Sequence, residues 1–245
     1  MRKLLLLAGL LAPITLAPAA QAALVKVTMV GSTNSDFVFS GDPCGTGGGC
    51  TGLPLTIELF VDTALAPNDR DAQANIGSYS WFASEAHLTT FLTGSVTVNG
   101  RVFTSISPPA PTLQALPFRQ IVILRNDITN LFGTPIDEFA IQLDGQAATN
   151  GTTVDRRFQL THSYLLSSAT FATPNLSELL TERTILGTSS AVTNAALMRM
   201  QNATGDFEAR INITSITFEL VPEPGVAWML GAAAVSLCAA RRRRS

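Results

Sequence analysis

Charge is scarce in this chain of 245 residues: Asp, Glu, Lys and Arg make up 14% of it, against about 25% in an ordinary globular protein. That composition argues against a disordered acidic or basic tail protein. Positive charge is scarcer still away from the ends. Arg2 and Lys3 open the sequence and Arg241, Arg242, Arg243 and Arg244 nearly close it, so residues 23–220 keep 10 basic against 17 acidic side chains, a net of −7. A body of that sign does not neutralise phosphates, and no nucleic-acid partner is expected. There are only two histidines, His87 and His162. Neither stands in His-Glu-x-x-His, and the chain lacks both a Gly-x-Ser-x-Gly elbow and a phosphate-binding loop. A Ser/His/Asp triad would have to be gathered by the fold from distant residues; ordinary polar surface positions are the simpler reading. No repeat of fixed period is visible, which disfavours a propeller or solenoid.

What is present at the ends has the form of processing signals. Arg2 and Lys3, the apolar run 4–11, and Ala20-Gln21-Ala22 are the charged start, short hydrophobic core and small-residue cleavage site of a secretory signal peptide, residues 1–22. Cleavage by signal peptidase is expected after Ala22, with Ala20 and Ala22 as the recognised positions. At the other end, residues 225–240 carry no charge and run directly into four arginines. As a helix that stretch is about 24 Å long, somewhat short of the ~30 Å hydrocarbon core. Snorkelling arginines and slight bilayer thinning make up the difference. The positive-inside rule places Arg241, Arg242, Arg243 and Arg244 in the cytoplasm as stop and orientation signal, with the acidic body outside. Between body and helix stands Val221-Pro222-Glu223-Pro224. Its prolines cannot donate backbone hydrogen bonds and hold their predecessors extended, a shape open to a protease.

Val-Pro-Glu-Pro, an apolar helix and a terminal arginine cluster, covering residues 221–245, together resemble the PEP-CTERM sorting signal of Gram-negative bacteria. The resemblance implies that Pro222, Glu223 and Pro224 are recognised by an exosortase-like membrane protease. It also implies transient anchoring in the inner membrane, then release to the cell surface or extracellular matrix, in association with exopolysaccharide. A GPI signal would end in its hydrophobic tail rather than in arginine. Leu53-Pro54-Leu55-Thr56, the one run similar to a Gram-positive sortase motif, lies far upstream and continues into Ile57.

The body, residues 23–220, is expected to be a single all-β domain, a β-sandwich or jelly-roll-like fold flanked by the signal peptide and the transmembrane helix. Alternating or apolar segments at 24–30, 55–61, 95–98, 101–104, 120–124, 138–143, 156–160 and 211–220 read as strands. Asn99-Gly100 suits the type I′ turn of a hairpin. The apolar phase of 211–220 falters at its centre, which predicts a bulge or burial on both faces. Helix is expected to be scarce: a turn or two at 175–183, with Asn175 as cap and Glu178 at the capping-box position, and a second segment at 193–200. Asp62, Gly77-Ser78-Tyr79, Asn99-Gly100 and Asn126-Asp127 are similar to a recurrent body type among PEP-CTERM proteins, a resemblance that bears on fold alone.

Four groups of residues are candidates for chemistry. Cys44 and Cys50 enclose a glycine-rich loop. Export to an oxidising compartment favours a disulfide between them over two free thiols, and closing that loop would contribute about 2.4 kcal/mol. Asp62, Asn68, Asp69 and Asp71 form an acidic loop whose oxygens would suit calcium, the one cofactor to be considered; solvated surface carboxylates are the alternative. Glu58 or Asp62 with Glu85 would serve a glycoside hydrolase if the fold set them about 5–10 Å apart. Trp81 with Tyr79 and Phe82 would either stack on a sugar ring, as in a carbohydrate-binding module, or pack in the core. A non-catalytic surface protein is the leading expectation; a carbohydrate-binding module and a secreted hydrolase are the alternatives.

Overall fold

The computed structural model describes residues 24–71, 73–82, 90–106, 119–129, 133–149, 152–167, 169–186, 197–202 and 205–221. The chain is built of antiparallel strands: β1 (Leu24–Gly41), β2 (Pro54–Asp62), β3 (Ile76–Phe82), β4 (Leu92–Val98), β5 (Arg101–Ile106), β6 (Arg119–Thr129), β7 (Pro135–Thr149), β8 (Thr152–Ser167), β9 (Arg183–Leu186), β10 (Leu197–Asn202) and β11 (Gly205–Val221). The signal peptide, the sorting motif and the C-terminal apolar stretch lie outside the described residues. No helix among those described is long and apolar enough to cross a membrane.

Alternation dictates which face each strand buries. In β2, Leu55, Ile57, Leu59 and Val61 are buried while the residues between them are partly exposed. Successive side chains of a strand point to opposite faces, so a single apolar phase makes a single apolar face. These residues register against Val25, Val27 and Met29 of β1 and against Leu92, Val96 and Val98 of β4, each buried Leu, Ile or Val worth roughly 1.5–3 kcal/mol. All eleven strands join in one hydrogen-bonded path, in which β4, β2, β1, β11 and β9 form one run of neighbours, or layer, and β3, β6, β7 and β8 another. The two face each other where Phe139 of β7 meets Phe218 of β11 edge-on at 5.4 Å. β5 pairs with the far end of β7, and β10 bridges β8 and β11. The ladders therefore run in a closed circuit through β7, β8, β10, β11, β1, β2, β4, β5 and back to β7, which leaves few open edges.

Two local expectations are met in detail. Asn99 and Gly100 both have positive φ, 48° and 77°, and join Val98 to its partner Arg101. In β11 the burial phase switches from Ala209, Ile211 and Ile213 to Ile216 and Phe218. The register against β1 slips between Val30, paired with Ser215, and Gly31, paired with Ile213, so that Thr214 is the extra residue of a bulge. Backbones crowd there: a Cβ on Gly31 would lie 2.0 Å from the Asn212 carbonyl oxygen.

Of the helical expectations, the turn or two at 175–183 is present as a 3-10 segment, Leu176–Leu180, that ends before β9 begins at Arg183, while its capping and the second segment are corrected. Asn175 makes no side-chain cap, and Glu178 accepts a hydrogen bond from the Thr173 hydroxyl instead. Where a helix was expected at 193–200, Leu197–Asn202 is a strand, because pairing with both β8 and β11 overrides the helix propensity of Leu, Met, Arg and Gln.

Candidate functional site

Four of the loosely spaced motif residues, Gly77, Tyr79, Asn126 and Asp127, meet at one feature, a clamp that fastens residues 170–183 across the ends of β3, β6 and β7. Gly77 of β3 lies against the Pro174 carbonyl; a Cβ there would stand 2.0 Å from that oxygen. The buried Tyr79 hydroxyl donates to Pro174 O at 3.4 Å and accepts from Leu176 N at 3.3 Å, and burial pushes its pKa above the usual value. Asn126 Nδ2 donates to Ala172 O at 3.1 Å. Asp127, at φ 50° beside a register shift in β6, donates its amide to Asp137 Oδ1 at 2.9 Å. Asp137 is fully buried, and its Oδ2 accepts from the Thr170 and Phe171 amides at 2.8 and 2.7 Å. Arg183 closes the clamp by donating to Thr170 O and Glu178 O. Its guanidinium lies 5.1 Å from the Phe171 ring centroid and 5.7 Å from that of Phe218. A carboxylate satisfied by three amide donors is suited to holding backbone in place.

Asp137 and Arg183 were missed in the sequence. The readable signal for Asp137 was phase: it falls on the same parity as Phe139, Ile141 and Leu143, a polar residue on the buried side of a strand. Gln120 gives the same signal beside Val122 and Leu124. It is buried, and its Oε1 accepts from the Phe91 and Leu92 amides at 3.0 and 3.1 Å.

The glycine-rich loop is closed by a disulfide between Cys44 and Cys50, both fully buried. Asp42 organises its base, accepting from Thr46 N at 2.9 Å and Gly47 N at 3.0 Å. These amides, Gly47 first, hold the Asp42 carboxyl below its ordinary pKa. Arg101 donates to Asp42 O and Pro43 O, Asn99 donates to Cys44 O, and the buried Thr33 hydroxyl donates to Cys50 O. The hairpin of β4 and β5 thus carries the loop as well as turning the chain.

The acidic loop uses its carboxylates on its own backbone. Asp62 Oδ1 accepts from Ala64 N and Leu65 N, and Asp71 Oδ1 accepts from Gln73 N. Asp69 Oδ1 accepts from Asp71 N and Ser78 N, while Arg70 N donates to Ser78 O. Both polar backbone groups of Ser78 on the outer edge of β3 are thereby covered, the protection an edge strand needs. Among the described residues no group of three His, Cys, Asp or Glu is placed to hold a metal. Glu58 pairs with Lys26 across β2 and β1 at 2.5 Å, which raises the lysine pKa. Glu85 and His87 lie outside the described residues, as do the side chains of His162, Trp81 and Phe82. Tyr79 is packed inward, so it does not offer its ring to a sugar.

Two surface features remain. The face of the β9–β11–β1–β2–β4 layer opposite its buried phase carries a cross-strand row of Thr184, Thr217, Thr28, Glu58 and Ser95 that continues into Thr104 of β5. At one end of that layer, Leu24, the first described residue, pairs with Val221, the last. Ala20, Ala22, Pro222, Glu223, Pro224, Arg241, Arg242, Arg243 and Arg244 all lie beyond this pair, outside the described residues. No protein-family model matches the chain, and no curated protein and no solved structure matches it.

Proposed function

We propose that the chain is an exported, non-catalytic surface or matrix protein, held for a time in the inner membrane by residues 225–240 and released by an exosortase-like protease at Pro222-Glu223-Pro224. The observation that carries this is the ordered C-terminal arrangement of motif, apolar stretch and Arg241, Arg242, Arg243 and Arg244, opposite a leader ending in Ala20-Gln21-Ala22. A buried disulfide suits an oxidising destination. The carboxylates of Asp137, Asp69 and Asp62 are engaged in holding backbone, in keeping with a scaffold. The facing layers favour a β-sandwich or jelly-roll-like fold for the body, residues 23–220. Replacing Pro222, Glu223 and Pro224 by alanine should leave the protein uncut in the inner membrane; normal processing of that variant would count against the proposal.

A second reading, a carbohydrate-binding module acting on matrix polysaccharide, draws on the hydroxyl row through Thr184, Thr217, Thr28, Ser95 and Thr104, where sugar hydroxyls would find partners. Calorimetric titration of the released protein with the host's own polysaccharide tests it, and no heat of binding would remove it.

A further inference from the structure

Phe60 departs from the apolar phase of its strand. Leu55, Ile57, Leu59 and Val61 of β2 are buried, so Phe60 stands on the opposite face with Thr56 and Glu58, where it is partly exposed. It lies directly opposite Lys26 of β1 and Thr93 of β4, one row from Thr28 and Ser95, which flank Glu58. Opposed side chains of an antiparallel pair have Cβ atoms about 4.5–5.5 Å apart, and diagonal neighbours at about 7–8 Å are within reach of an aromatic ring. A partly exposed ring is thereby bordered by hydroxyls from both neighbouring strands.

The same face is acidic. From Leu24 to Val30 of β1, and on the stretches of β2 and β11 paired with it, the outward phase carries one cation, Lys26, and three anions, Glu58, Asp62 and Glu219. Lys26 is engaged by Glu58 at 2.5 Å. A polyanion meets net repulsion there, whereas an uncharged ligand does not. A pyranose with equatorial hydroxyls has apolar C–H faces and a polar rim, so a ring beneath it and hydroxyls beside it satisfy both parts. Adjacent strands lie about 4.7–4.9 Å apart, close to the length of one pyranose unit in an extended chain. Thr217, Thr28, Glu58, Ser95 and Thr104 therefore offer one polar side chain per sugar across the strands.

Resting on the carbohydrate reading above, we propose that this face takes an uncharged, β-linked polysaccharide laid across the strands, with one sugar stacked on Phe60 and the chain hydrogen-bonded along the row through Thr28 and Ser95. Phe60 supplies the stacking platform that Tyr79, packed inward, does not.

The test titrates the full chain calorimetrically, in a detergent without a sugar headgroup, with cellohexaose as neutral probe and hexagalacturonate as acidic probe. Cellohexaose should bind, and hexagalacturonate should bind at least about tenfold more weakly. Phe60→Ala should weaken cellohexaose binding at least about tenfold, while Phe60→Tyr should retain it. Thr28→Val with Ser95→Ala removes two hydroxyls at nearly constant volume; it should weaken binding several-fold at an unchanged unfolding midpoint, and it decides the matter should Phe60→Ala not fold. Hexagalacturonate binding as tightly as cellohexaose, or binding of the host's own polysaccharide alone, would overturn the proposal and leave the carbohydrate reading standing. Cellohexaose binding indifferent to these substitutions would put the sugar elsewhere and overturn it as well. So would a chain that sediments as a dimer and is dispersed by Phe60→Ala, since a second copy would then cover the face. No heat with either probe or with the host's polysaccharide would remove the carbohydrate reading, and this proposal with it.

Discussion

The carboxylate of Asp137 accepts hydrogen bonds from the amides of Asp127, Thr170 and Phe171, and that of Asp69 accepts from Asp71 and Ser78. The chemistry is the same; the surroundings are not. Asp137 is fully buried between β7 and the clamped segment, whereas Asp69 lies in an exposed loop. Water can replace Asp69 at no great cost, whereas Asp137 is itself buried and satisfies the buried Phe171 amide. Burial, more than the number of hydrogen bonds, therefore decides which loop the fold depends on. The cystine loop stands between the two, its cysteines buried but its Asp42 only partly so.

Each substitution that follows either breaks or sharpens that contrast. Asp137→Ala leaves three amides without an acceptor, two of them beside the buried Phe171, and should destabilise the body by about 3–5 kcal/mol in denaturant unfolding. A loss no larger than that of an exposed aspartate would break the comparison. Cys44→Ser with Cys50→Ser should cost about 2.4 kcal/mol, read as a lower unfolding midpoint without a change in the far-ultraviolet β signature. Asp69→Ala should cost less than about 1 kcal/mol in the same measurement, its main consequence being an uncovered Ser78 on the edge of β3. Asp42→Asn is the smallest change and shows itself through pH. The native Asp42 carboxyl is held below its ordinary value of 3.8, so its contribution is present above about pH 4 and fades as the pH falls through the depressed value. The stability gap between the native chain and Asp42→Asn should therefore be wider at about pH 6 than at about pH 2; an equal gap at both would contradict the assignment.

Much of the all-β layout was legible because the relevant physics is local. The alternation of Leu55, Ile57, Leu59 and Val61 reports a strand with one buried face, Asn99-Gly100 reports its turn, and the faltering phase around Thr214 reports its bulge. The clamp was not legible because its partners are far apart in sequence: Tyr79 meets Leu176, and Asp137 meets Phe171. Leu197–Asn202 was misread for a related reason. Its residues favour a helix in isolation and become a strand only because β8 and β11 leave a place between them. Gly77 and Asn126 were noticed as motif residues, but their purpose emerges only with Pro174 and Ala172 lying against them. The candidate ligands Asp62, Asp69 and Asp71 were recognised as one loop, while their use as acceptors for their own backbone depends on how that loop folds over Ser78.

The proposed export is tested most directly at the covalent ends of the polypeptide. Intact-mass measurement of the polypeptide recovered from the cell surface and medium should find Ala23 at the N-terminus, residues 225–245 absent, and Cys44 bonded to Cys50. A mature polypeptide found in the cytosol with Met1 and Ser245 both present would contradict it.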